Sequence, residues 1–195
     1  MENTIQKKKG FNIYQIAGIG LFAALAFVSN YIQIYIPLGG DTTRIHIGNT
    51  FCLLAGLLLG PLAGGLSAGI GNCLYDLLNP LFISSAPFTF IFKFLMAFVC
   101  ALIAYGAHAR GENQVRNIIG AVVGSLTYIV LYLGKGFITG LLEGHAMETI
   151  WVQTAAKAGA SFLNGAIAVV ASVPLCFAIR KALERTHLMD KLIRG

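Results

Sequence analysis

Charge is scarce in this chain. Of 195 residues, 11% are Asp, Glu, Lys or Arg against 56% hydrophobic, with a mean hydropathy of +0.74. A soluble domain carries about 25% charged residues, so the composition excludes one and points to an integral membrane protein. Acidic residues are scarcer still, 8 against 14 Lys and Arg, for a net charge of +6. The basic residues fall in the gaps between apolar runs and form no single stripe, which argues against a nucleic-acid partner. The four cysteines, Cys52, Cys73, Cys100 and Cys176, all lie inside apolar stretches. Without the close spacing of a metal or redox pair, they read as small core residues.

Motifs for catalysis are missing as well. The chain has no H-E-x-x-H, no G-x-S-x-G and no carboxylates paired at helical spacing, and His46, His108, His145 and His187 are scattered in loops and the tail. The glycine-rich run after Gly56 lacks the Lys-Ser/Thr ending of a phosphate loop. The expectation is therefore no enzyme, no cofactor and no metal site.

What the chain has is long apolar runs. A spanning helix needs about 20 mostly apolar residues, and six candidates appear at about residues 12–35, 47–60, 62–79, 87–107, 117–141 and 148–182. The second and third share roughly 32 residues at 1.5 Å each, so both are short and meet at Gly60-Pro61. Pro61 suits a first helical turn and Gly60 a chain end; one unbroken helix is the alternative. This predicts an all-α protein of six transmembrane helices: a basic N-terminus over residues 1–11, a transmembrane domain over 12–183 and a tail over 184–195. The first apolar run is too long for a signal h-region and is read as a retained span. Six crossings put both termini on one side, and the basic residues agree. Lys7, Lys8, Lys9, Arg110, Arg116, Arg180, Lys181, Arg185, Lys191 and Arg194 fall on that side and Arg44 on the other, which makes the first side cytoplasmic.

Three lysines fall inside spans. A lysine facing lipid at a helix centre costs about 2.5–3.5 kcal/mol. Lys93 and Lys135 are near enough to an outer boundary to snorkel, whereas Lys157 is about ten residues into its helix and should face the interior. Helical spacing groups these charges with other polar residues: Asn72 with Asp76, Thr89 with Lys93, Tyr128 with Tyr132 and Lys135, and Gln153 with Lys157, Ser161 and Asn164. Four polar stripes in an apolar protein point to one outward-facing pocket. Asp76 at its mouth either pairs with a lysine, accepts a hydrogen bond from a polar solute, or is a helix-end carboxylate in water. Trp151 and the neighbouring aromatics either stack on a ligand or anchor the protein in the interface.

Small residues mark two other faces. Gly56, Gly60 and Gly64, then Gly65 and Gly69, recur at spacing four and let helix backbones approach. Ala17, Gly20 and Ala24 line one face of the first helix, suited either to internal packing or to a partner subunit.

The stretch "HIGNTFCLLAGLLLGPLAGGLSAGIGNCLYDLL", followed by "APFTFIFKFLMAFVCALIAYG", resembles the substrate-binding S component of energy-coupling factor (ECF) transporters, in the riboflavin-transporter-like branch. The resemblance runs over nearly the whole chain. It implies a six-helix bundle in the prokaryotic cell membrane that captures a small solute from outside and docks onto a transmembrane coupling subunit driven by two ATPases. It implies an A-x-x-x-A docking motif on the first helix, matched here by Gly20-x-x-x-Ala24 with glycine in the first place. It also implies a substrate site near the outer surface, to which Asn72, Asp76, Lys93, Tyr128, Lys135, Trp151, Lys157 and Asn164 are assigned. The solute expected is a small water-soluble vitamin, a nucleobase-like precursor or a hydroxyl-rich compound. The rival reading is a stand-alone secondary carrier or channel, against which stands the absence of matching halves with interrupted helices and of a charged ring or filter loop.

Overall fold

Asn12 opens the first helix with a capping box: its side chain accepts the Gln15 N–H at 2.8 Å, and Gln15 Oε1 accepts the Asn12 N–H at 3.1 Å. The computed structural model describes residues 10–37, 42–106, 109, 111–186 and 188–193. Lys7, Lys8, Lys9, Asp41, His108, Arg110, His187 and Arg194 lie outside the described residues, as do most of the 1–11 segment and the end of the tail.

The helices are α1 (Ile13–Ser29), α2 (Gly48–Leu59), α3 (Pro61–Leu78), α4 (Ala86–Tyr105), α5 (Gln114–Leu142) and α6 (Met147–Arg185), followed by a short α7 (Leu188–Ile193). The first span ends earlier than about residue 35. Ser29 Oγ and Asn30 Nδ2 both donate back to the Ala26 carbonyl, at 2.9 and 2.7 Å, and stop the helix. The apolar residues that follow form a strand, β1 (Gln33–Pro37), paired antiparallel with β2 (Thr42–His46) so that Gln33 faces His46 and Pro37 faces Thr42. The hairpin lies at the end of the bundle away from the chain termini. At the terminal end, Asn12 Nδ2 and Gln15 Nε2 donate to the carbonyls of Lys191 and Leu192, tying α1 to α7.

Among the described residues, three segments are long and apolar enough to cross a membrane on length and composition: Ile83–Tyr105, α5 and α6. α1 and α2, at 17 and 12 residues, are shorter apolar helices. α2 rises about 18 Å, well short of a hydrocarbon core about 30 Å thick. Its position explains this: every α2 residue except Phe51 is buried, with α1, α3, α4 and α6 packed around it. A helix apolar on all sides and enclosed by protein needs no length to satisfy lipid.

Close approach makes that enclosure possible. A Cβ on Gly56 would meet the Ala97 carbonyl oxygen of α4 at 2.5 Å, and one on Gly64 would meet the Gly56 Cα at 2.5 Å, so α2, α3 and α4 touch backbone to backbone. Gly71 does the same against the Ala23 carbonyl of α1, and Gly120 and Gly124 of α5 against Cys100 and Met96 of α4. The break between α2 and α3 needs Gly60, whose φ of +83° is in the left-handed region, with Pro61 opening α3. The freed carbonyls of α2 are capped: Tyr105 donates its hydroxyl to Leu58 O at 3.0 Å, and Arg180 Nη2 donates to Leu57 O at 3.1 Å, placing a cation at a helix C-terminus.

Gly71→Ala forces α1 off α3 and should cost about 1–3 kcal/mol, by the usual price of overpacking. Gly134→Ala, whose Cβ meets nothing within 4 Å, should leave the thermal midpoint unchanged or raised. Thermal unfolding of the two variants in the same detergent checks the contrast.

Candidate functional site

The hairpin roofs a cavity of about 380 Å³, within the range for a small-molecule site. β2 supplies Thr42, Thr43, Arg44 and His46; α3 supplies Asp76; α4 supplies Phe88, Thr89 and Phe92; α5 supplies Tyr128, Tyr132, Lys135 and Thr139; α6 supplies Gln153, Lys157, Ser161 and Asn164. Glu143 and His145, 3.7 Å apart and well exposed, are also in its lining. Below it, Leu53, Leu54, Leu57, Met96 and Cys100 belong to one close-packed apolar core.

Asp76 is paired with Arg44. Arg44 Nη2 donates to Asp76 Oδ1 at 2.9 Å, and the Thr89 hydroxyl donates to Oδ2 at 2.5 Å, with the carboxylate almost wholly buried. The guanidinium lies over the rings of Phe82 and Tyr75, 4.3 and 4.9 Å from their centroids. Asn164 fixes the other side of β2, accepting the His46 N–H at 3.0 Å and donating to the Arg44 carbonyl at 2.8 Å. The hairpin is thus held by α3 and α4 through Arg44 and by α6 through Asn164. His46 Nδ1 accepts the Gly48 N–H at 3.1 Å; burial, with smaller effects of Lys93 and Arg44, holds its imidazole well below the usual histidine pKa.

Of the eight site residues expected from the sequence, Asp76, Tyr128, Lys135, Lys157 and Asn164 line this cavity. Lys135 Nζ donates to Ser85 Oγ, just before α4, at 3.0 Å. Lys157 is buried, its Nζ lying 3.5 Å from where a Cβ on Gly136 would be.

Three residues lie elsewhere. Asn72 is fully buried at the junction of α1, α2 and α3, where it donates to Ala68 O at 2.8 Å and Cys52 Sγ at 3.1 Å and accepts from Asn30 Nδ2 at 3.0 Å. Lys93, 1% exposed, is beneath the cavity wall: it donates to Asn49 Oδ1 and its ammonium is 3.7 Å from the centroid of the Tyr128 ring. Snorkelling is thereby overturned for Lys93, because the helix turns it inward toward a ring and an amide. Trp151 is 60% exposed on the outside of α6, edge-on to Phe137 at 5.4 Å, away from the cavity lining.

Arg44 was not among the expected site residues. Two features of the sequence mark it: Arg44 is the lone Lys or Arg of the outer connections, and "TTRIH" has the β-branched content of a strand.

Asp76→Ala leaves a buried guanidinium without its counter-charge and should destabilise the protein by about 3–5 kcal/mol, whereas joint replacement Arg44→Met with Asp76→Leu should recover much of that loss. Thermal unfolding of the two variants in detergent measures the difference.

Comparison with known proteins gives the lineage. The family model of the ECF-type riboflavin transporter S component matches residues 10–181. An "Uncharacterized protein in gap 3'region" of Pyrococcus woesei is 25% identical over 103 residues, 53% of this chain and 66% of that protein. A UPF0397 protein of Lactiplantibacillus plantarum is 33% identical over 72 residues, 37% of this chain and 38% of that one. The chain therefore spans less than two thirds of the length of these curated relatives. A solved S component of a bacterial ECF transporter shares the fold, with a TM-score of 0.60 at 21% identity over 87% of this chain and 96% of the other. A helical bundle with one roofed polar cavity, matched by the family model over most of its length, belongs to the ECF-type riboflavin transporter S component family.

Proposed function

We propose that this chain is the substrate-binding subunit of an ECF-type importer, capturing a small polar solute in the cavity under the hairpin. The observation that carries the reading is the cavity's form. It is a polar pocket at the hairpin end of the bundle, lined from β2, α3, α4, α5 and α6, with none of the buried core residues Leu53, Leu54, Leu57 and Met96 in its lining, which suits a binder better than a pore. A water-soluble vitamin, a nucleobase-like precursor or a hydroxyl-rich compound fits its volume and its lining. Lys135 and Lys157 then act on the solute by hydrogen bond and charge and Tyr128 by its ring, while Asp76 and Asn164, whose polar atoms are taken up by Arg44, Thr89 and β2, hold the wall and roof in place.

The family match supports delivery through a transmembrane coupling subunit and two ATPase subunits. The surface proposed for docking is the face of α1 bearing Ala17, Gly20 and Ala24, all three exposed, with nothing within 4 Å of where a Gly20 side chain would begin. That open face favours a partner over internal packing. In a prokaryotic cell membrane, the basic residues Arg116, Arg180, Lys181, Arg185 and Lys191 favour a cytoplasmic position for the terminal end and an external one for the hairpin.

The purified chain should retain a small molecule through detergent exchange, seen by mass spectrometry of the denatured protein, and should not accumulate it in liposomes when reconstituted alone. Uptake by the isolated chain would favour a secondary carrier instead. Ala24→Trp should lower transport by the assembled importer at least about tenfold while leaving solute retention unchanged, since a bulky ring blocks close helix approach without touching the cavity.

A further inference from the structure

His46 is in the lining of the cavity under the hairpin and is held there from three directions. It ends β2, two residues beyond Arg44, so the two side chains share a face of the strand. Asn164 accepts its backbone N–H at 3.0 Å, and Gln33 pairs with it across the hairpin. The ring is fixed as well, because Nδ1 accepts the N–H of Gly48, the first residue of α2, at 3.1 Å.

That last bond decides where the imidazole proton sits. A nitrogen that accepts carries a lone pair, so the neutral ring has its hydrogen on Nε2. The other tautomer would set one N–H against another, and turning the ring over would put a carbon where Gly48 needs an acceptor. The imidazolium fails for the same reason, and burial already holds this ring well below the usual histidine pKa, with smaller contributions from Lys93 and Arg44. His46 is therefore a neutral ring with its donor locked on one atom.

Nε2 has no acceptor among the described residues, yet it is not one of the unpaired side-chain atoms sealed inside the protein, as Asn30 Oδ1 and Arg44 Nη1 are. In a residue only 4% exposed that lines the cavity, an unsealed Nε2 presents its hydrogen to the cavity. Polar neighbours on the same lining are spent on the protein: the Thr89 hydroxyl donates to Asp76, and both ends of the Asn164 amide are bound to β2. A solute that fills the cavity displaces water from the Nε2–H, and a donor left unmatched in such a space costs more than a matched one gains.

We propose that His46 is a specificity-determining residue for the solute, its Nε2–H donating to a neutral lone-pair acceptor such as a carbonyl oxygen or an unprotonated ring nitrogen. A group that can only donate is turned away at that position. The proposal rests on the importer reading for the cavity being the solute site, and adds what the solute must present to β2.

The test is NMR of the purified full chain, labelled with nitrogen-15 in histidine, in detergent at neutral pH. The probes are pyridine, an acceptor with no donor, and pyrrole, a ring of similar size that donates and has no lone pair to offer. The His46 signals, identified by their loss in His46→Asn, should show the proton on Nε2 and none on Nδ1. Pyridine should shift the Nε2–H saturably at millimolar concentration, and pyrrole should bind at least about tenfold more weakly. Two variants separate the two edges of the ring. In His46→Asn the amide oxygen takes the place of Nδ1, so the thermal midpoint should hold while pyridine affinity, read by saturation-transfer NMR, falls at least about tenfold. In His46→Gln the amide nitrogen takes the place of Nε2, so affinity should stay within about threefold while the midpoint falls with loss of the Gly48 contact. A histidine that only capped Gly48 would leave the preference for pyridine intact in His46→Asn. A proton on Nδ1, equal binding of the two probes, no binding of pyridine, or unchanged pyridine affinity in His46→Asn overturns the proposal. Should either variant fail to fold, the labelled chain decides alone. The outcomes separate from the importer reading: a retained solute beside a His46 indifferent to pyridine overturns only the role of His46, whereas pyridine held at Nε2 in a chain that accumulates solute unaided overturns only the importer.

Discussion

The Arg44–Asp76 pair is the contact on which the rest of the solute site depends. It joins residues 32 positions apart, one on a strand and one on a helix, and Thr89 brings a third element to the same carboxylate. Both charges are largely removed from water, so the pair stabilises only through its geometry and the additional hydrogen bonds around it. The rings of Phe82 and Tyr75 lie against the guanidinium and shield it from water on their sides. Because β2 is fixed at this point and again by Asn164, the same residues that shape the cavity also decide whether it has a roof.

Around α2 the contacts are of another kind: very close backbones, joined by a few buried side-chain hydrogen bonds such as Lys93 to Asn49 and Asn72 to Cys52. α2 is short because it is wrapped, and it is wrapped because Gly56 and Gly64, at its crossings with α4 and α3, remove the side chains that would keep those neighbours away. At its end, Tyr105 and Arg180 take over the carbonyls that the turn at Gly60 leaves unpaired. A close-packed core and a pinned roof suit a pocket that must discriminate among small solutes, since selectivity requires donors held at fixed positions.

Much of this was legible in the sequence, for identifiable reasons. The last three helices follow from long apolar runs, and the α2–α3 break from Gly60-Pro61, because each has a strong local cause. The inward direction of Lys157 follows from its depth in the helix. The hairpin was hidden, since Gln33–Pro37 is nearly as apolar as the helix before it and shows no period-two alternation over its five residues. Lys93 was ambiguous because distance from a helix end says nothing of which neighbour waits inside. Trp151 and Asn72 share helices with cavity residues but face other ways, and a helix face on paper does not state which other helix covers it. The Arg44–Asp76 pair, being long-range, had no local signature.

The length of α6 bears on the lipid around the protein. Its 39 residues rise about 58 Å, nearly twice the hydrocarbon thickness of an ordinary bilayer. Such a rod cannot stand upright with both ends comfortable: it leans, extends into the headgroups, or bends where Pro174 removes a backbone donor. The same rod carries Lys157 and Asn164, so its tilt bears on the wall and roof of the pocket, and under the importer reading bilayer thickness would become a mechanical input to the proposed solute capture.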